Sequence, residues 1–165
     1  MGGTGMARPE RLTVVAALAI LLVGVVAGVE SLTIARRSPG YSFAATSGLA
    51  AALELAAGWA LVLAGLIAFR TRGRRAFGGI LALAGVAWFL VEWNNPGASL
   101  AVVFTAGLVG YALYPVLVTH AVLRYPDRRL DAAESAAVAT GYLSAFVIGG
   151  VVPALLFAPA RVGEW

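Results

Sequence analysis

Phe69-Arg70-Thr71-Arg72-Gly73-Arg74-Arg75 puts four of the chain's twelve basic residues within six positions, between two long apolar runs. A helix surrounded by lipid cannot carry these four arginines, because burying a charge in hydrocarbon is costly. The stretch is therefore a loop at a membrane face. Arginine-rich short loops are retained on the cytoplasmic side, so Arg70, Arg72, Arg74 and Arg75 orient everything else. The expected fold is all-α: a polytopic integral membrane helix bundle of about five transmembrane helices, forming one domain over residues 1–165.

Composition agrees with that reading. Of the 165 residues, 61% are hydrophobic and only 12% charged, with a mean hydropathy of +0.88. Soluble domains carry about 25% charged residues, so the solvent implied is a bilayer. The net charge of +4 does not indicate nucleic acid, because the arginines are spread between apolar runs and membrane topology accounts for them. The absence of cysteine and the single histidine, His120, exclude disulfides, thiolate metal sites and cysteine nucleophiles. A histidine-rich metal site within one chain is excluded too. No cofactor is expected.

Working outward from the arginine loop, helix 2 is expected over 46–69 and helix 3 over 76–93. Ala56, Ala60, Ala64 and Ala68 recur every fourth residue and would form a smooth seam on helix 2 for a neighbour. Trp88 and Trp93 lie towards the far end of helix 3, where aromatic residues favour the membrane interface. Upstream, helix 1 is expected over 12–29 with a Gly24/Gly28 packing pair, followed by a polar connection from Glu30 to Ala45. Downstream, Asn95 is placed to cap helix 4 (96–123), with Pro96 at its first position and Pro115 as a kink. Asp131 and Glu134 fit a capping box at the start of helix 5 (132–158), which carries a Gly141/Ala145/Gly149 seam and a second kink at Pro153.

With the loop inside, Arg8, Arg11, Arg124, Arg128 and Arg129 join its four arginines on the inner face. Only Arg36, Arg37 and Arg161 fall outside. This bias places the N-terminus in the cytoplasm and, after five crossings, the C-terminus at Trp165 outside. The expected location is the plasma membrane.

Few residues can carry chemistry. Glu54 lies inside an apolar helix, where a carboxyl is either paired or functional; it is a candidate proton- or ligand-sensing group, or it reaches Arg36 or Arg37. Glu30 and Glu92, at the expected outer ends of helices 1 and 3, can join it in an outward-facing acidic pocket, or can simply be solvated. His120 sits near the inner end of helix 4, too far from Glu92 to pair, and reads first as an anchoring or hydrogen-bonding group. There is no phosphate-binding loop, HExxH or GxSxG, so no enzymatic activity is expected of the chain and no catalytic, cofactor-binding or metal residue is assigned.

The run Glu92-Trp93 followed by Pro96-Gly97, then Phe104-Thr105, Gly107-Leu108, Pro115, His120, Tyr125-Pro126 and Arg129-Leu130, resembles the membrane-embedded N-terminal region of actinobacterial sensor histidine kinases. Arg128 departs from that pattern, which usually has glycine there. The similarity covers about residues 46–130, and it implies a signal-input module. The family's phosphorylated histidine and ATP-binding domain do not fit after Trp165, so the expectation is a sensory part truncated or split from its catalytic half. His120 is not expected to be the phosphoacceptor. Expected partners are the lipid bilayer, a second copy of the chain or a separate kinase chain. A small transporter or channel subunit with Glu54 in its path, and a purely structural membrane protein, are the alternatives.

Overall fold

A computed structural model of the chain describes residues 8–71, 73–126 and 128–156, with the side chains of residues 8–13 not described. Arg72, Arg161 and Trp165, and with them the expected outer terminus, lie outside the described residues. The elements are α1 (Arg8–Arg37), a 3-10 turn (Pro39–Tyr41), α2 (Gly48–Arg70), α3 (Arg75–Trp93), α4 (Ala101–Gly110), α5 (Leu113–Arg124) and α6 (Ala132–Leu143). A π-helical segment (Ser144–Val151) then leads into α7 (Val152–Leu156). Four helical stretches are long and apolar enough to cross a membrane, or five when the bent α4–α5 pair counts as one. The chain is thus an all-helical bundle of the expected class.

The first departure is α1, which continues to Arg37 instead of ending at residue 29. Polar residues that resembled a connection satisfy themselves within the helix. Ser31 Oγ donates to the Ala27 carbonyl at 2.9 Å and Thr33 Oγ1 to that of Val29 at 3.0 Å. Nothing breaks the helix before Ser38-Pro39, where the residue ahead of proline is disfavoured in the α region. Arg36 and Arg37 occupy the last turn, where positive charge meets the negative end of the helix dipole. Glu30 therefore lies within α1 and not at its end.

The hairpin of α2 and α3 is the tightest unit of the bundle, closed by a turn in which Gly73 takes a φ of +76°. Its register follows from glycine contacts. A Cβ on Gly78 would fall 2.2 Å from the Phe69 nitrogen, and one on Gly65 2.3 Å from the Ala82 nitrogen. At Gly85 the clash would be with the Val62 nitrogen at 2.6 Å, and at Gly58 with the Phe89 ring. The two backbones touch along the whole seam, as small residues permit in lipid. The expected alanine seam is not the one used: Ala56, Ala60 and Ala64 are exposed, while Glu54, Gly58, Val62, Gly65 and Leu66 are buried. Alanine keeps a methyl between the backbones and glycine does not, so the glycine face forms the closer interface.

Gly24 and Gly28 do form a packing face on α1. A Cβ there would meet Val62 at 3.2 Å and Trp59 Nε1 at 2.8 Å, respectively. Three indoles tie the first three helices together: Trp59 Nε1 donates to the Gly24 carbonyl at 3.1 Å, Trp93 Nε1 to Ala27 at 3.4 Å and Trp88 Nε1 to Glu54 at 3.1 Å. Trp88 and Trp93 thus point at helix backbones rather than serving only as interface anchors. Helix α3 packs against α1, α2, α4 and α5, which makes it the hub of the described bundle.

Helix 4 of the sequence reading is two helices. Pro115 lacks an N–H and its ring crowds the carbonyl four residues earlier, that of Tyr111. The break falls there, and α4 and α5 meet at 49°. The start also moves, from residue 96 to Ala101. Asn95 folds a turn instead of capping the helix: its Oδ1 accepts from the Gly97 N–H at 2.8 Å and its carbonyl from Ala98 N–H at 3.0 Å. The Asp131/Glu134 capping box forms as expected. Beyond it, the π-helical turns precede Pro153 and relieve the clash its ring would make in a regular α-helix. The Gly141/Ala145/Gly149 seam faces α4 and α5, with Gly141 against Val116, Gly149 against the Ala112 methyl and the buried Gly150 against the Val109 carbonyl.

The connections gather in two groups. Asn95 Nδ2 donates to the Ser38 carbonyl at 3.4 Å, joining the 38–47 and 94–100 connections at one end of the bundle. At the other end, Arg74 lies 5.8 Å from the Tyr125 ring centroid and Phe77 packs edge-on to the same ring. Around these ends the helices present Leu18, Leu22, Ile67, Leu83, Leu143 and Ile148 outward, all exposed. Such broad apolar faces suit hydrocarbon and not water.

Candidate functional site

The register of the α2–α3 hairpin brings Glu54 and Glu92 to one level. Glu54 lies six residues into α2, roughly 9 Å along the axis at about 1.5 Å per residue. Glu92 is the penultimate residue of α3. Both are buried, with 6% and 4% of their surface exposed. These values decide the matter of simple solvation for Glu92, which the sequence left open: it is not a solvated helix-end carboxylate.

Both carboxyls line a cleft of about 390 Å³, with Phe43, Trp88 and Tyr114 among its walls. Glu92 Oε1 accepts a long bond, 3.5 Å, from the Ala44 N–H in the connection between α1 and α2. Glu92 Oε2 is buried without a hydrogen-bond partner among the described residues. Neither carboxyl forms an ion pair; among the described residues the one salt bridge is Arg128–Glu134, at the opposite end of the bundle. The pairing of Glu54 with Arg36 or Arg37 that the sequence allowed is therefore not made.

The cleft is amphipathic in its construction. Trp88 and Tyr114 meet edge to face, their centroids 5.0 Å apart. Leu53 and Val91 form exposed apolar parts of the lining, and Phe43 is exposed as well. The three helical walls differ in mechanical character. Glu54, Trp88 and Glu92 stand on the glycine-locked hairpin. Tyr114 stands on α5, one residue before Pro115 and just past the break between α4 and α5.

The other candidates lie elsewhere. Glu30, half-buried on α1, is not among the residues lining the cleft. His120 lies further along α5 than Tyr114, where its Nδ1 is 3.0 Å from the Tyr142 hydroxyl and bridges α5 to α6. Arg70, Arg74 and Arg75 are exposed at the hairpin turn. No group of three or more metal-ligating side chains converges among the described residues.

Sequence reasoning did not find the aromatic walls. In sequence Trp88 is one of two tryptophans towards the far end of helix 3, which reads as a membrane-interface position, and Tyr114 carries no signal beyond its position next to Pro115. The register that joins Glu54 to Glu92 was available, in principle, from the glycines at 58, 65, 78 and 85, but the alanine repeat was the stronger pattern. Comparison with protein-family models, curated proteins and solved structures returned no match.

Proposed function

We propose that this chain is a membrane signal-input module, of the kind that precedes a two-component histidine kinase, with the Glu54–Glu92 cleft as its input site. The observation that carries the reading is the placement of the cleft across a mechanical boundary. Two carboxyls stand on the rigid α2–α3 hairpin and face Tyr114 beside the 49° break of α4–α5. Occupying such a cleft would favour one angle of the bent pair over another, and a ligand shifts a conformational equilibrium only through such a difference. The bend would pass the change through the His120–Tyr142 contact to α6.

In this reading the Arg70–Arg75 turn faces the cytoplasm, the cleft opens on the outer half of the bilayer, and output passes to a partner kinase chain. The membrane is the plasma membrane, and the partners are lipid and protein, not nucleic acid.

The test is made in the source cell. The chromosomal copy is deleted, or replaced by a Glu54→Gln/Glu92→Gln variant expressed at the same level, and aspartyl phosphorylation of response regulators is profiled. One regulator is expected to change in both strains. An unchanged profile in the deletion strain would overturn the reading. Solute flux into proteoliposomes that disappears in the variant would instead establish a transporter.

A further inference from the structure

The cleft holds a buried carboxyl oxygen that no described residue satisfies, and its walls specify what would satisfy it. Among the described residues, Glu92 Oε2 is buried with no partner, in a residue only 4% exposed. A buried polar atom without a bond is costly, and such a group in a native structure calls for a partner. Glu54, the second buried carboxyl, faces the same space, and among the described residues no basic side chain lines it. No third acidic or histidine side chain joins these two among the described residues, which is a thin ligand set for calcium with its six to eight oxygens. The aromatic lining points away from a bare metal ion and towards an ammonium group, which ring faces attract.

We propose that the cleft binds a small organic ammonium ion, its charge between Glu54 and Glu92 and its carbon substituents against Trp88, Tyr114 and Phe43. The volume of about 390 Å³ falls in the range of small-molecule sites, roughly 300–1,000 Å³. With the Glu92 carboxyl turned towards the cleft, the ammonium nitrogen supplies the donor that Oε2 lacks. The same chemistry has two sources: a soluble amine, or the headgroup of an aminophospholipid reaching past Leu53 and Val91. This assignment rests on the cleft being the input site, and binding is measured without reference to signalling, so each can fail alone.

The full chain is reconstituted in nanodiscs of phosphatidylglycerol and titrated calorimetrically with butylammonium and with its neutral counterpart, butanol. Saturable binding of the cation alone is expected, weakened at least tenfold in Glu92→Gln. A parallel preparation in phosphatidylethanolamine separates the sources. If the headgroup is the occupant, butylammonium binding is lost there and native mass spectrometry finds phosphatidylethanolamine retained by the wild type but not by Glu92→Gln. If a soluble amine is the occupant, the titration is unchanged by the lipid. The proposal is overturned if neither ammonium source binds, if butanol saturates the same site equally, or if folded Glu92→Gln binds as the wild type does. Should that variant not fold, the cation-against-butanol comparison on the wild type decides.

Discussion

Substituting Gly65 by alanine adds one methyl where α2 and α3 are in backbone contact, and the structure fixes how much must give way. The new Cβ would lie 2.3 Å from the Ala82 nitrogen and 2.7 Å from the Gly78 carbonyl oxygen. Ordinary contact begins near 3.4 Å, so the helices must part by about 1 Å. Neither obstructing atom is a side chain that can rotate away. Overpacking of this kind costs about 1–3 kcal/mol, and a gap of about 1 Å forfeits up to half of the dispersion energy along the seam. Both effects place Gly65→Ala at the upper end, about 3 kcal/mol. For a chain of this size about 1 kcal/mol moves the midpoint by roughly 2–4 °C, so the expected loss is roughly 6–12 °C. The assay is thermal unfolding in detergent, followed by size-exclusion chromatography of the fluorescently tagged chain. The partner variant is Ala64→Leu, which adds far more volume one residue away but on an exposed face; it should stay within about 2 °C of the wild type. A Gly65→Ala protein as stable as the wild type, or an Ala64→Leu protein that is the less stable of the two, would refute the glycine seam.

Two further outcomes follow from other parts of the fold. Asp131→Ala removes the acceptor for the Glu134 N–H, which it bonds at 2.8 Å, and loss of an N-cap costs about 1 kcal/mol; amide exchange at residues 132–135 should accelerate roughly fivefold, and unchanged exchange would show the capping box to be without consequence. The chain has no cysteine, so single cysteines report sidedness without background: in intact cells, a membrane-impermeant maleimide should label Gly40→Cys and spare Gly73→Cys, and the opposite pattern would invert the topology.

The fold class was legible because apolar length and arginine placement act over whole segments and tolerate local error. The α2–α3 turn was found within one residue on each side for that reason. Helix ends were less legible where polar residues bond back to their own helix. Ser31 and Thr33 have the composition of a loop and the hydrogen bonds of a helix, and only the bonds decide. The seam on α2 was misassigned because alanine and glycine both count as small, whereas packing at backbone contact distinguishes them sharply. In the cleft, Glu54 could be singled out because a carboxyl among apolar neighbours is conspicuous on its own. Tyr114 could not, since its role comes from the break at Tyr111 and Ala112, and an aromatic residue in an apolar helix carries no mark of that.

The lengths of the helices bear on the membrane that surrounds them. α1 has 30 residues and α3 only 19, or roughly 45 Å and 28 Å at about 1.5 Å per residue. Because α3 is the hub, its length sets the hydrophobic thickness of the bundle near its centre, slightly below that of a hydrocarbon core of roughly 30 Å. α1 must tilt or project to fit the same slab. A thicker bilayer would therefore press on the two ends of α3, at Arg75 and at Glu92, and the second of these lines the cleft. Bilayer thickness and cleft occupancy would then act on the same residue, and lipid composition would set the baseline from which any ligand works.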